Sequence, residues 1–124
     1  DQNCAMFFNR YAIDTEYGGL AFEKEAERCC QQLADPNKKV LIMCHHGVMV
    51  IGEDVADAFN RLFYFERAAE TYIKALWTRQ PLGILSDEVA EKTARELENY
   101  PAQADRHFAE LKAILDSEEP DYAT

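Results

Sequence analysis

Cys44-His45-His46-Gly47 sets two imidazoles at the end of an apolar run and follows them at once with a glycine. Imidazole is a neutral, borderline-soft donor suited to zinc, iron, nickel or copper, and a catalytic zinc ion commonly takes three protein ligands while keeping one position open for substrate. The remaining histidine, His107, lies far along the chain in a segment with helical periodicity. A metal centre built on the pair would therefore draw ligands from outside this polypeptide. His46 is the better ligand candidate, because the glycine beside it allows a sharp turn and close approach of substrate or backbone. Alternation along an extended segment puts Cys44 and His46 on one face and His45 on the other, which makes His45 a supporting or packing residue. The ordinary alternative for such a strand-end histidine is a hydrogen-bonded imidazole in the core.

A carboxylate is the next candidate. Glu66 lies between Leu62 and Ala69 on the apolar stripe of a long predicted helix, where a buried acid needs a cation, a hydrogen-bond donor or a raised pKa. It reads either as support for a site or as one half of an intersubunit pair with an arginine. Tyr11 and Tyr17 could donate a proton from the irregular N-terminal part, although ordinary packing explains them as well. No Walker loop, G-x-G-x-x-G, G-x-S-x-G or H-E-x-x-H occurs, so nucleotide binding and serine or zinc-protease chemistry have no motif here.

The elements that must position these residues follow from periodicity. The first twenty residues read as a loop, a short strand and a turn at Tyr17-Gly18-Gly19. Phe22 to Leu33 reads as an amphipathic helix stopped by Asp35-Pro36-Asn37. Val40-Leu41-Ile42-Met43 and Val48-Met49-Val50-Ile51 read as two buried strands, or one strand bent at the glycine. The longest helix starts behind Asp54 as N-cap, with Asp57 three residues on, and its apolar stripe is Val55, Phe59, Leu62, Phe63, Ala69, Ile73 and Leu76. Phe65, Tyr72 and Trp77 widen that stripe beyond what one core face needs, which implies burial against another subunit. Gln80-Pro81-Leu82-Gly83 ends it. Ser86-Asp87-Glu88 opens another helix running to about Tyr100, and a last one spans roughly Asp105 to Glu118.

Composition sets the class. With 124 residues, 48% of them hydrophobic and 29% charged, the chain suits one globular domain. Thirteen basic against twenty-three acidic residues give a net charge of −10, which works against nucleic acid and anionic membranes as partners. No apolar stretch is long enough to span a bilayer and no signal-peptide pattern occurs, so the expected location is cytoplasmic. Cys4, Cys29, Cys30 and Cys44 show no C-x-x-C spacing and read as reduced thiols. Opening on Asp1-Gln2-Asn3, the chain reads as the remainder of a longer polypeptide.

The run from Val40 to Glu66 carries a resemblance beyond spacing. An apolar strand, His46-Gly47, a second apolar strand, Gly52, Ala56, Ala58-Phe59, Leu62 and Phe65-Glu66-Arg67-Ala68-Ala69 resemble the C-terminal half of the class II aldolase and adducin head-domain family. Asp1-Gln2-Asn3, Tyr17-Gly18-Gly19 and Leu85-Ser86-Asp87-Glu88 are similar to members of it too. The resemblance implies a three-layer α/β/α fold with a largely antiparallel central sheet and C-terminal helices, residues 1–124 being the C-terminal part of such a domain. It implies a homo-oligomer, usually a tetramer, with active sites between subunits. It makes His46 the third ligand of a divalent metal, generally zinc, with an H-x-H pair and an acid/base carboxylate lying upstream of residue 1. In the complete enzymes the metal polarises a carbonyl and stabilises an enediolate, so that a bond next to the carbonyl of a sugar or sugar-phosphate-like compound is cleaved or formed. The implied parent is thus an aldehyde-lyase of carbohydrate metabolism, inactive as this fragment alone. Sugar-phosphate aldolases of this type carry a tyrosine donor from a neighbouring subunit where this chain reads Asp1-Gln2-Asn3. The rival implication is a non-catalytic scaffold, as in adducin heads. A third is an independent small protein that self-associates through its wide helix face, with His46 purely structural.

Overall fold

A computed structural model of the chain describes residues 1–16 and 23–123, so the expected turn at Tyr17-Gly18-Gly19 and the start of the first long helix at Phe22 lie outside the described residues. The centre is a three-stranded sheet in the order β1 (Tyr11–Asp14), β2 (Val40–Met43), β3 (Gly47–Val50). Strands β2 and β3 form an antiparallel hairpin, with Val40 opposite Val50 and Met43 opposite Gly47. Strands β1 and β2 run parallel, Tyr11 beside Val40 and Asp14 beside Met43. Parallel neighbours need a crossover, and α2 (Glu23–Gln32) lies within it. The expected α/β class is the observed one; among the described residues the sheet holds one antiparallel and one parallel pair.

Successive residues of a strand point to opposite faces, and Val40 and Leu41 are both 0% exposed, so both faces of β2 are covered. On one face Val40 packs with Phe7 and Ala68, joined by Ile42, Val48, Val50, Tyr64 and Phe65. That face belongs to α1 (Gln2–Ala5) and α3 (Val55–Trp77). The short helix α1 was not foreseen in the sequence. It starts because the Asp1 carboxylate accepts the Cys4 N–H at 3.0 Å, and Cys4 Sγ in turn donates to the Ala68 carbonyl of α3 at 3.7 Å. On the opposite face, register places Ala12, Leu41 and Asp14 together, and Asp14 pairs with Arg28 of α2. The layers are therefore α2, sheet, and α1 with α3.

The start of α3 is as expected. Asp54 accepts the Asp57 N–H at 2.8 Å, and Asp57 reciprocates by accepting the Glu53 N–H at 3.0 Å. Gly52 is required just before it, since a Cβ there would lie 2.3 Å from the Ala58 backbone nitrogen. What differs is the buried face. Asn60 and Ala68 are the buried residues of α3, with Tyr64 and Phe65 packed beside them, and these sit one turn apart in succession. Much of the expected core stripe faces outward, Val55 being 71% exposed, Ile73 47% and Leu76 48%, while Phe59 and Phe63 pack against the C-terminal helix rather than the sheet. The inner row was hidden because it is short and partly polar, while the outer row is long and apolar.

Helix α4 (Asp87–Glu98) begins behind Ser86, whose hydroxyl accepts the Val89 N–H at 3.3 Å. It is docked by a contact that periodicity does not reveal. The Arg10 side chain, 8% exposed, donates from Nε and Nη2 to the two oxygens of Glu98 at 2.9 Å each, and from Nη1 to Glu91 at 2.6 Å. Arg10, and then Arg95, hold the Glu91 carboxyl down to about 2. The Arg10 carbonyl also accepts the N–H groups of Lys39 (2.8 Å) and Val40 (3.2 Å), which ties the starts of β1 and β2 together. Helix α5 (Gln103–Glu118) packs on α3 through His107, whose Nδ1 lies 2.9 Å from Asn60 Oδ1, with the ring 4.7 Å from that of Phe63. His107 is thus a packing residue. Among the described residues no helix is long and apolar enough to cross a membrane.

Candidate functional site

The histidine pair is neither on a strand nor split between two faces of one. Strand β2 ends at Met43 and β3 begins at Gly47, so Cys44, His45 and His46 make up the connection between them. The His46 N–H donates to the Met43 carbonyl at 3.1 Å, closing a β-turn. His45 takes φ +69 and Gly47 φ +140. The alternation expected for an extended segment fails because the chain reverses there, and both imidazoles come out on the exposed side of the turn. A positive φ at a non-glycine residue is uncommon, and it persists only where its surroundings enforce it.

Those surroundings are supplied from two elements. The Cys44 N–H donates to the Asp14 carbonyl at 2.8 Å, bonding the turn to the end of β1. Asp14, 2% exposed, accepts the Arg28 Nε proton at 2.8 Å and the Glu16 N–H at 3.1 Å through its side chain. The Arg28 guanidinium, followed by that backbone donor, holds the Asp14 carboxyl below the usual carboxylate range against the opposing effect of burial. One turn earlier on α2, Glu25 places Oε1 3.2 Å from Nδ1 of His46, with 20% of the Glu25 side chain and 41% of the His46 side chain exposed. Glu25, Asp14 and Arg28 were not singled out in the sequence. The available signal was Glu25 and Arg28 at i, i+3, which face one way only once the helix is placed on the sheet.

Of the residues expected at the site, the structure brings His45 and His46 together at one turn. It puts Glu66 elsewhere: Glu66 is exposed on the outer face of α3, in a groove lined with Phe59, Leu62, Phe63, Arg67 and Glu70, to which no turn residue contributes. Within this chain the stripe that carries Glu66 is the outward one, so any burial of the carboxylate comes from beyond the chain. Tyr11 opens β1 and is 42% exposed, while Tyr17 lies outside the described residues. All four cysteines are free thiols; Cys29 is buried and Cys30 exposed, so only one of the adjacent pair behaves as a core residue.

A divalent metal needs more donors than the turn offers. Among the described residues no group of three His, Cys, Asp or Glu side chains is placed to hold a cation. His46 has the chemistry of one ligand, with a carboxylate on its other ring nitrogen as metal-binding histidines commonly have. The described residues by themselves do not fit a complete zinc site.

Residues 1–73 match the family of the class II aldolase and adducin N-terminal domain. Among known proteins, the chain is 31% identical over 105 residues to protein hu-li tai shao of Drosophila melanogaster, which covers 81% of this chain and 9% of that protein. It is 34% identical over 61 residues to human gamma-adducin, covering 49% of this chain and again 9% of the relative. The chain therefore spans about a tenth of the length of these relatives. A crystal structure of an aldolase II superfamily protein from Pseudomonas syringae superposes with a TM-score of 0.84 at 27% identity, over 100% of this chain and 49% of that one.

Proposed function

The chain belongs to the class II aldolase and adducin family, and from that premise we propose that it is the C-terminal part of a divalent-metal-dependent, aldolase-like lyase acting on a small carbonyl compound of sugar or sugar-phosphate type. The observation that carries the reading is the His45-His46-Gly47 turn. It reverses the chain through positive φ at His45 and Gly47 and places the His46 imidazole on an exposed tip, where groups from outside the chain can reach it. His46 is the metal ligand this chain contributes. A zinc-like cation, when bound, supplies Lewis acidity toward the substrate carbonyl. The other ligands and the acid/base carboxylate come from outside these 124 residues, so the chain alone is inactive.

The surface supports incompleteness. The accessible area of 9182 Å² exceeds the roughly 6,800 Å² of a compact monomer of 14.2 kDa. The outward apolar face of α3, with Val55, Phe59, Leu62, Ile73 and Leu76, is where the remainder of the domain or a neighbouring subunit of a homo-oligomer would cover it. In that assembly Glu66 gains a partner. One observation favours a second reading, a non-catalytic adducin-like scaffold in the same fold: the relatives named in full are adducins and hu-li tai shao.

Elemental analysis separates the two. Metal is measured on the chain, on the same protein carrying whatever sequence precedes Asp1 in its gene, and on the His46→Ala form of each. Near-stoichiometric metal in the longer protein, lost with His46→Ala, supports the metalloenzyme. Absence of metal from every form supports the scaffold.

A further inference from the structure

We propose that Glu25 is the positioning residue of the turn, holding the His46 imidazole in the form that carries its proton on Nδ1 and its lone pair on Nε2. The proposal rests on the reading of His46 as a ligand for its purpose, but its geometry stands independently. Three contacts close a ring around the turn. Glu25 reaches His46 Nδ1 at 3.2 Å. Three residues on, Arg28 reaches Asp14 at 2.8 Å from the same side of α2. Asp14 accepts the Cys44 N–H through its carbonyl, and two residues later His46 closes the circuit back to Glu25. Helix α2 thus grips both sides of one turn with two residues a single helical turn apart.

The direction of the Glu25 contact follows from donor and acceptor inventory. An ionised carboxylate has no proton to donate, so the 3.2 Å contact is a hydrogen bond only when Nδ1 carries the hydrogen. In a neutral imidazole the other nitrogen then holds the lone pair. This is the nitrogen a Lewis-acidic cation takes, and a carboxylate behind a ligating histidine both fixes the ring and raises its donor strength. The Glu25 side chain is 20% exposed and that of His46 41%, so the bond is partly open to water and its effect on the ring is modest.

The test needs no metal. Long-range proton–nitrogen NMR on the full chain labelled at histidine ring nitrogens reads the proton position directly, at a pH well above the ordinary histidine range. In the native chain His46 should show a protonated Nδ1 and a lone-pair Nε2. In Glu25→Gln and Glu25→Ala the ratio of Nδ1–H to Nε2–H should fall by roughly fivefold, the scale of one partly exposed charge-assisted hydrogen bond. His107, held by Asn60 on another element, reports in the same spectrum that the fold is intact. An unchanged His46 signal in Glu25→Ala, or a protonated Nε2 in the native chain, overturns the proposal. Failure of the longer protein to take up metal leaves this result standing and removes only the functional reading above it.

Discussion

The two ends of the three-stranded sheet are built on opposite terms. At the end where β1 and β2 start, Arg10 is nearly enclosed, its guanidinium is divided between Glu91 and Glu98, and its carbonyl takes two backbone donors. Gly52 lets the first turn of α3 close onto the same end. At the other end, His45 sits at φ +69, Gly47 at φ +140, and two imidazoles reach the surface. The first end satisfies its charged groups and fills its space. Positive φ occurs at both, at Asn9 beside Arg10 and at His45 in the turn; what sets the second end apart is that its imidazoles reach the surface. Enclosed, paired charge suits a part that serves stability, and exposed imidazoles suit a part that serves a site.

Three substitutions sharpen that contrast, in order of expected effect. Gly52→Ala should be the most damaging, because the new methyl meets backbone atoms of Ala58 that have no rotamer to yield. A loss of about 2–3 kcal/mol in urea unfolding is expected, and a loss below about 0.5 kcal/mol would mean that α3 does not close onto this end as described. Arg10→Ala should cost about 2 kcal/mol, less than a fully buried pair because both glutamates keep some water. It carries a pH signature as well. Glu91 has its carboxyl held at about 2 in the fold against an ordinary 4.5, so its contribution is complete above pH 4.5 and lost as pH falls from there toward 2. Stability of the native chain should drop through that window, and the drop should flatten in Arg10→Ala; equal slopes would remove Arg10 as its cause.

The smallest effect has the opposite sign. His45→Gly relieves a left-handed conformation and should stabilise the chain by about 0.5–1 kcal/mol, glycine's extra freedom when unfolded offsetting part of the gain. A destabilising result would place the two ends of the sheet on the same terms and dissolve the comparison.

Much of the fold was legible from local pattern. The helix before Asp35-Pro36, the two apolar strands either side of the histidines, the Asp54 and Ser86 caps and the helices they open all stand close to where periodicity and capping put them. These depend on neighbours within a few residues. The inner face of α3 was illegible for a physical reason: an isolated helix shows which rows are apolar, and here the longest apolar row faces outward while Asn60 and Ala68 go in. Alternation misassigned His45 and His46 because it presumes an extended chain, and a hairpin turn abolishes it.

The sequence alone determined the family, the His46-Gly47 pair and the order of elements from β1 to α5, because each rests on residue type and short-range spacing. Tertiary structure decided what surrounds the imidazole. Glu25, Arg28, Asp14 and Cys44 come from a helix, a strand end and a turn separated by up to thirty residues, and Arg10 meets Glu98 across 88 positions. Contacts across such separations are set by how the layers stack, and no local period records them.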